Sequence, residues 1–449
     1  MPSLLPDWPA LEQAIRKRLA EALSGSMVRV EIEVPDTDPL AWLSARRDNV
    51  RLYCSDREDR LSIAAAGRAD WRKGEVSGDP AEPLDLIQAA LADLPPGCRY
   101  YGGVRFDSGR PPRGIWRSIG GYLFVLPEME LIRGEGRCCL ALNLRAGEAG
   151  DDPWPRIRSA LDPWTVAIQP GALPGFRIQI NRPGWRGWRR RVARALEAIR
   201  AGRIRKLVLA RRSSFWFARK LSPLGLLAHM IDRNRRCYHF GFLYGNHLAF
   251  LGLTPERLFL RDGDRVFSES VAGTVPRGAD TQEDDEFAGQ LLHSEKLRVE
   301  QQIVTDRVRA SLESVGVEVT RIHGPDILRL DRLQHLITSF EGTLSTSASS
   351  ADLLRALHPT PAVGGHPREA ALELLRAIEP FDRGWYTGPL GWISRDSAEF
   401  AVAIRSGLIA GRRLLVYAGA GLVEGSRPEE EWEEIERKMN QFLQRISTT

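Results

Sequence analysis

Apolar residues recur along this chain with two different periods, and the two periods mark different segments. From Lys206 onward, short apolar runs are divided by turn residues: Asp262-Gly263 separates Glu256–Arg261 from Arg265–Ser270, and Gly245-Asn246 separates two further runs. Stretches with a helical period lie between these hairpins. The pattern predicts an α+β fold in which antiparallel sheets are flanked by helices, rather than a doubly wound parallel sheet.

The remaining elements follow from the same two periods. Hairpin-like pairs are predicted within Gly391–Ile404 and at Leu414–Ala418, and helices are predicted at Glu286–Leu312, Ser350–Leu357 and Pro367–Ile378. An N-terminal helix is expected to begin at the cap Asp7 and to carry Pro9, Leu11, Ile15, Leu19 and Leu23.

A polar segment that contains Gly and Pro, Arg145–Pro155, is the best candidate for a boundary. It divides the chain into an N-terminal α/β portion, residues 1–150, and a larger region, residues 151–449, which contains most of the candidate chemistry described below. No internal repeat with the period of a solenoid protein is visible, so both parts are expected to belong to a globular fold rather than to a repeat array.

Composition narrows the class of protein. Hydrophobic residues make up 43% of the 449 positions, enough for large cores. The five cysteines are odd in number and lack a CxxC spacing, so neither a disulfide framework nor a zinc cluster is expected, and a reducing cytoplasm suits the chain. No apolar run approaches the roughly 20 residues that cross a bilayer, and no export signal is seen, so no membrane association is expected.

The net charge of +5 is partly concentrated in the Arg-rich stretch Arg182–Lys206. Trp185 and Trp188 among these arginines suggest a nucleic-acid patch. However, Val192 and Ile199 recur there at helical spacing, so an amphipathic helix with a basic outer face is the favoured interpretation and no nucleic-acid partner is expected. A small anionic substrate is the only ligand that requires a positive field here.

The segment Tyr417–Lys438 carries the most informative pattern. Gly419 and Gly421 interrupt an apolar strand, which lets a ligand approach the bare backbone. A helix is expected to begin at Pro428, and one of its faces carries Glu431, Glu434 and Lys438. Two carboxylates on one face suit a hard divalent cation, although a solvated Glu/Lys stripe explains the same spacing.

Four charged residues stand in apolar surroundings elsewhere. Lys206 begins an apolar strand, where burial favours a neutral amine that can act as a general base; a strand-end lysine extending to solvent is the alternative. Glu256 is a candidate general acid or a partner in a salt bridge. Glu300 lies on a predicted helix and points inward or decorates its surface, and Arg405, after an apolar strand, suits a carboxylate ligand or a structural ion pair.

Taken in order, these segments resemble the chorismate-utilising enzymes, and in particular the isochorismate synthases. The resemblance covers Lys206 to the C-terminus and rests on KLVLAR, GLTPERLF, SVAGT, HPTPAVGGHP, RGWYTGPLGW, EFAVAIRSGLI and AGAGLVEGSRPEEEWEEIERK. The first 200 residues resemble the family more loosely, through YYGGVRFD and FVLPEMEL. The resemblance implies a single four-layer fold of two packed antiparallel sheets between helices.

The resemblance also implies which nucleophile attacks chorismate. Family members that add water have a lysine at the position of Lys206, whereas those that use ammonia typically do not. Aminodeoxychorismate synthases place a nucleophilic lysine where this chain has Ala272. Salicylate synthases share the base lysine, but the run His358–Ala362 looks like the isochorismate synthase version. The implied activity is therefore the conversion of chorismate to isochorismate.

By the same resemblance, Lys206 would deprotonate the water that attacks C2, and Glu256 would protonate the departing C4 hydroxyl. Mg²⁺ is the implied cofactor, held by Glu300 and Glu434 with Glu431 nearby or acting through water. The implied substrate-binding residues are Thr274, His335, Tyr386, Arg405, Gly419, Gly421 and Lys438. A monomer without an obligate glutaminase partner is expected.

Two departures from the family pattern lie next to the implied metal ligand. This chain has Leu297 and Gln301 where the family usually has an aspartate and often a histidine, which puts the orientation of Glu300 and the metal affinity in question. Three alternatives stay open beside the isochorismate synthase: a salicylate synthase, a catalytically silent chorismate-binding paralogue and, more remotely, a basic nucleic-acid-binding protein.

Overall fold

The computed structural model describes residues 5–58, 60–147, 152–168, 170–171, 173–232, 236–245, 247–331, 333–345 and 348–446. Part of the predicted boundary Arg145–Pro155, and Asn246 of the predicted Gly245-Asn246 turn, lie outside these residues. In the described ranges, none of the helices is long and apolar enough to cross a membrane.

The strands are β1 (Met27–Glu33), β2 (Val50–Ser55), β3 (Leu61–Ala66), β4 (Asp70–Gly74), β5 (Tyr100–Val104), β6 (Tyr122–Leu126), β7 (Met129–Gly134), β8 (Arg137–Arg145), β9 (Phe176–Arg182), β10 (Lys206–Phe217), β11 (Tyr238–Tyr244), β12 (Leu248–Thr254), β13 (Arg257–Asp262), β14 (Arg265–Pro276), β15 (Val317–Arg329), β16 (Leu333–Leu344), β17 (Gly365–His366), β18 (Pro389–Ile393), β19 (Ser397–Val402), β20 (Ser406–Ala410) and β21 (Arg413–Leu422).

The α-helices are α1 (Trp8–Ala20), α2 (Pro39–Ala45), α3 (Glu82–Ala92), α4 (Trp154–Ala160), α5 (Trp185–Arg200), α6 (Pro223–Asp232), α7 (Thr281–His293), α8 (Glu295–Ser314), α9 (Ser350–Leu357), α10 (Arg368–Ile378) and α11 (Pro428–Ile446). A short 3-10 helix spans Gly114–Ser118.

The strands form two antiparallel sheets. The larger sheet has the order β1-β8-β7-β3-β2-β11-β12-β20-β21-β10-β17, with β9 also paired to β10, and the smaller sheet has the order β15-β16-β14-β13-β19-β18-β5-β6-β4. This confirms the predicted α+β fold of two antiparallel sheets. Strands from residues 1–150 pair with later strands in both sheets, through β2 with β11 and β5 with β18. The division at residue 150 therefore stays a prediction about chain organisation.

Three buried clusters show that the layers are helix, sheet, sheet and helix. One cluster joins α1, α5, α6, α10 and α11 to the outer face of the larger sheet. A second joins α3, α8 and α9 to the outer face of the smaller sheet. The third lies between the sheets, where Tyr101 and Val125 of the smaller sheet meet Phe242 and Phe250 of the larger one. Burial of apolar residues on both faces of each sheet stabilises this four-layer arrangement.

Several predicted elements are found with small changes. Asp7 caps α1 by accepting from the Ala10 N–H at 3.0 Å, although the helix ends before Leu23. The single helix predicted at Glu286–Leu312 is wrong: the structure has α7 and α8, divided at Ser294. The backbone of Ser294 is extended, and its hydroxyl accepts from Leu297 N–H at 3.4 Å, so this serine starts a new helix.

The contact between α5 and α11 holds α11 in place, and α11 carries the candidate carboxylates Glu431 and Glu434. Trp188 of α5 is fully buried and donates its indole N–H to the Pro428 carbonyl oxygen at 2.9 Å, at the first turn of α11. Its ring also meets that of Trp432, with centroids 6.1 Å apart. The basic stretch is thus an amphipathic helix, as its spacing predicts.

We predict that Trp188→Ala lowers the free energy of unfolding by about 3–5 kcal/mol, because it leaves a cavity between the helices and removes the indole hydrogen bond to α11. Trp185→Ala is the matched control, since Trp185 also contacts Trp432 but is 37% exposed; a loss below about 1.5 kcal/mol is expected there. Urea denaturation of both variants checks this. Equal losses would contradict the proposed anchoring of α11.

Candidate active site

A cavity of about 100 Å³ lies between the two sheets. Its walls come from β10 and β21 of the larger sheet, from β14 and β16 of the smaller sheet, and from α8 and α11. The predicted residues on its surface are Glu256, Thr274, Glu300, His335, Tyr386, Arg405, Gly419, Gly421, Glu434 and Lys438. Residues as far apart in the sequence as Glu256 and Lys438 are thus brought to one site. Lys206 and Glu431 do not line the cavity, but Lys206 contacts its wall through an ion pair with Glu300.

Lys206 begins β10, as predicted, and its side chain is almost completely buried. Its Nζ lies 3.0 Å from Oε1 of Glu300 on α8. The carboxylate reaches the lysine across the bare backbone of Gly421, where an added Cβ would lie 2.3 Å from the same Oε1. The close approach of helix and strand therefore depends on glycine at this position.

Glu256 occupies the short connection between β12 and β13 rather than a strand, and it is 4% exposed. Burial is the largest effect on its carboxyl group and raises the pKa to about 8, although Lys206 nearby lowers it and Glu269 raises it further. Glu256 is therefore protonated at neutral pH and able to donate its proton to a leaving group.

Arg405 lies in the connection between β19 and β20 with a positive φ of 47°, not at the end of a strand. Such a backbone is uncommon for a residue other than glycine. Its Nη2 lies 2.6 Å from Nε2 of His335. Burial, with Arg405 adding to it, lowers the pKa of His335 well below its usual value, so the ring is neutral.

The neutral His335 ring has a defined tautomer. Its Nδ1–H donates to the Gly273 carbonyl oxygen at 3.0 Å, which leaves Nε2 to accept from Arg405. The Thr274 hydroxyl lies 3.2 Å from the same Nδ1. The β14–β16 pair thereby orients the guanidinium group that faces the cavity.

The opposite wall is formed by an aromatic pair and by β21. Tyr386 stacks on Tyr417 with ring centroids 5.1 Å apart and an interplanar angle of 16°. An added Cβ on Gly419 would lie 3.3 Å from the Tyr386 hydroxyl. Lys438 donates to the Gly419 carbonyl oxygen at 3.0 Å and pairs with Glu434 at 2.5 Å. The wall thus offers a phenol, an ammonium group and exposed backbone to a ligand.

Lys296 is a functional residue that the sequence pattern did not single out. Its Nζ pairs with Oε1 of Glu431 at 2.9 Å, and Glu431 is 1% exposed. Burial works against the charge of Lys296, but attraction to Glu431, Glu434 and Glu300, in that order, gives a raised pKa. Three carboxylates therefore act on one ammonium group. The sequence does contain one signal for Lys296: it stands at i and Glu300 at i+4, so the two side chains lie on the same face of the helix.

The carboxylates around the cavity are of the kind that Mg²⁺ binds. Among the described residues, no group of three His, Cys, Asp or Glu side chains is close enough to enclose a metal ion. Mg²⁺ requires no such cage, because it commonly binds one or two carboxylates together with water and substrate oxygens. Glu300 and Glu434 both line the cavity and supply such oxygens. Burial, with repulsion from Glu434, raises the pKa of Glu431, so a nearby cation would favour its ionised form.

The two departures from the family pattern have structural roles. Gln301 is buried and donates to the backbone oxygen and the hydroxyl of Ser270 on β14, both at 3.1 Å. Leu297 packs against the cluster of Val275, Leu291 and Leu336. Both residues hold α8 against the smaller sheet, and this contact fixes the orientation of the helix that carries Glu300.

A glutamic acid with a raised pKa and several cations around one cavity, with a buried lysine just behind its wall, have the chemistry that acid–base catalysis on a small anionic substrate requires. The family profile described as "Chorismate binding enzyme" matches residues 11–447. The chain therefore belongs to the chorismate-binding enzymes.

Individual relatives agree with this assignment. "Isochorismate synthase MenF" of Bacillus subtilis is 38% identical over 96% of this chain and 98% of that protein. The "Salicylate biosynthesis isochorismate synthase" of Pseudomonas aeruginosa is 33% identical over 94% of this chain and 90% of that protein. The structure of MenF, the menaquinone-specific isochorismate synthase from Escherichia coli, matches with a TM-score of 0.86 and 27% identity, covering 98% of this chain and 99% of that one. Anthranilate synthase component I from Streptococcus pneumoniae shares the fold, with a TM-score of 0.69.

We predict that Glu256→Gln changes the pH dependence of stability. The folded pKa of Glu256 is about 8 and its ordinary value is 4.5, so the folded state holds a proton that the unfolded state has lost. The wild type therefore loses stability as pH rises from about 4.5 to about 8, by on the order of a few kcal/mol, whereas glutamine loses none on this account.

Urea denaturation at pH 5 and pH 9 checks this expectation. The stability of Glu256→Gln relative to the wild type should rise between the two values, and Glu369→Gln, which removes an exposed carboxylate on α10, should show no such rise. A constant difference for Glu256→Gln would mean that the carboxyl group is ionised in the folded protein.

Proposed function

We propose that this protein is an isochorismate synthase, which converts chorismate to isochorismate by adding water at C2 with loss of the C4 hydroxyl. The observation that carries the proposal is the presence at one cavity of a buried lysine and a glutamic acid with a pKa raised to about 8. Opposed proton transfers require a proton acceptor and a proton donor, and Lys206 can accept a proton only after its ammonium group has left Glu300 and lost a proton. The relatives named isochorismate synthase support the same activity.

In this proposal Lys206 removes the proton from the attacking water, and Glu256 gives its proton to the departing hydroxyl. Two features support water as the nucleophile. Lys206 occupies the first position of β10, and Ala272, on β14 beside the cavity, offers no amine for a covalent adduct. An ammonia-supplying subunit has no role in this chemistry, so the enzyme is proposed to act as a single cytoplasmic chain without a glutaminase partner.

Substrate binding is assigned to the cations and donors around the cavity. Chorismate carries two carboxylates, and Arg405 and Lys438 face the cavity with charges suited to them. Tyr386, Thr274 and the backbone at Gly419 and Gly421 would hold the rest of the molecule, while His335 orients Arg405.

Glu300 and Glu434 would hold Mg²⁺, with Glu431 beside them. The metal, when bound, neutralises a substrate carboxylate and fixes its position. The three carboxylates now pair with three lysines, so metal binding requires each carboxylate to exchange an ammonium partner for the divalent cation.

Product identification tests the proposal. With chorismate and Mg²⁺ near neutral pH, the enzyme should accumulate isochorismate, seen by chromatography and mass, and EDTA should abolish the reaction until Mg²⁺ is restored. Lys206→Ala and Glu256→Gln should each lower kcat at least about a hundredfold, because each removes a proton transfer in the transition state. Stoichiometric salicylate and pyruvate would replace the proposal with a salicylate synthase, and full activity in chelated protein would remove the metal from it.

A second prediction separates metal binding from substrate binding on β21. Gly421→Ala should raise the Mg²⁺ concentration needed for half-maximal activity at least about tenfold, because the added Cβ would lie 2.3 Å from Oε1 of Glu300. Gly419→Ala is the companion variant: its Cβ would meet Val208 and Tyr386 instead, so it should raise the KM for chorismate and leave the Mg²⁺ requirement unchanged. Kinetics at varied Mg²⁺ check both, and the reverse pattern would refute the assignment of Glu300 as a ligand.

A further inference from the structure

A second cavity opens on the same face of β10 and β21 as the active site, further along both strands. Its volume is about 700 Å³, against about 100 Å³ for the active site. On β10, Arg212, Ser214 and Trp216 continue the face that carries Lys206 and Val208, because alternate residues of a strand point the same way. One pleated surface thus forms the floor of two cavities. We call the second one the arginine cleft.

Strand pairing places like charges side by side on the floor of this cleft. Arg182 of β9 is directly opposite Arg212 of β10, and Arg413 of β21 is directly opposite Trp216. Like charges opposite each other in a sheet are destabilising. Their retention at adjacent positions calls for a neutralising partner.

The carboxylates of the cleft do not supply that partner. Eight arginines and three carboxylates line it, an excess of five positive charges. Each of the three carboxylates is already engaged by an arginine: Asp382 by Arg105 at 2.8 Å, Asp107 by Arg376 at 2.5 Å, and Glu379 by Arg383 at 2.5 Å. The arginines left over are Arg110, Arg113, Arg182, Arg212 and Arg413.

Two of these arginines are held in place but incompletely satisfied. Arg413 lies over the Trp216 ring at 4.7 Å, and Arg212 lies over the Phe381 ring at 5.5 Å. The Nε atoms of both are buried and make no hydrogen bond within the described ranges. Burial lowers the pKa of Arg413, and repulsion from Arg212 and Arg182 lowers it further. The guanidinium planes are therefore preorganised while their charge is uncompensated.

We propose that the arginine cleft is a second binding site, which takes a small molecule bearing at least two negative charges on phosphate or carboxylate groups. Arg182, Arg212 and Arg413 would bind the anionic oxygens, since guanidinium groups match both phosphate and carboxylate geometry. Ile180, which is 44% exposed on the same floor, would contact an apolar body of the ligand. The site goes beyond the proposed catalytic function and uses none of its residues.

An aromatic wall separates the cleft from the active site. Tyr417, directly opposite Arg212, stacks on Tyr386 of the active site and accepts a hydrogen bond from the Trp116 indole at 3.3 Å. The ring of Phe381 lies 6.0 Å from that of Tyr417. A ligand in the cleft is therefore separate from the substrate. Arg212 borders this wall, so Arg182 is the safer position for a test.

The test uses two probes, inorganic pyrophosphate and isophthalate, titrated into metal-free protein by calorimetry. Pyrophosphate represents phosphate ligands, and isophthalate represents a planar ring with two carboxylates. Arg182→Gln should weaken binding of the preferred probe about tenfold, the effect of losing one charge-assisted contact. Arg177→Gln is the matched control, because Arg177 lies on the same strand but does not line the cleft; a change below about twofold is expected.

Both variants should keep wild-type chorismate turnover, which shows that they fold and that the outcome is independent of the catalytic proposal. Arg413→Gln provides a second variant with the same expected loss. Tighter binding of pyrophosphate would identify a phosphate ligand, and tighter binding of isophthalate a carboxylate ligand. The proposal is overturned if neither probe binds at millimolar concentration, or if Arg182→Gln and Arg177→Gln weaken binding equally.

Discussion

The pairing of β10 with β21 is the contact on which both cavities depend. Its register sets Gly421 opposite Val208 and Gly419 opposite Ala210, so the floor between the sheets has almost no side-chain bulk at this end. Only there can Glu300 approach β10 across bare backbone. The same strand leads through a short turn into α11, whose first turn is anchored by a buried tryptophan, so the carboxylate helix and the glycine strand are positioned as one unit.

Charge burial explains why the site is built from ion pairs rather than from isolated ions. An unpaired charge in this interior would be costly, and the structure gives each carboxylate a lysine: Glu300 with Lys206, Glu431 with Lys296, and Glu434 with Lys438. Glu256 has no such direct pair and instead stays protonated. Glu256 is thus neutral for the same reason that the other carboxylates are paired, because an isolated charge in this interior would be costly. Among the described residues that line the cavity, the proposed catalytic acid Glu256 is the carboxyl group that the lysines leave without a close partner.

The sequence predicts those features that depend on local pattern. The start of β10 at Lys206 and the α11 face that carries Glu434 follow from strand and helix periods, and the resemblance supplied their roles. Other features were missed because they arise from tertiary contacts. The left-handed backbone of Arg405 is set by the crossing from one sheet to the other, and Lys296 matters only because its side chain reaches Glu431 on the separate helix α11. The break at Ser294 was visible as a capping serine but was hidden inside a continuous helical period.

The arginine cleft illustrates the limit of sequence analysis most clearly, because its cations come from three strands. Arg182 belongs to the basic stretch that preceded a correctly predicted helix, yet its meaning depends on Arg212 and Arg413, which the sheet sets beside it. On a helix surface, arginine side chains can extend into solvent away from one another. In a sheet, the strand register holds them side by side, so their mutual repulsion persists until an anion binds between them. The aromatic wall at Tyr417 would keep that anion from the proposed catalytic lysine, Lys206. One pleated surface can therefore attract two different anions without mixing their sites.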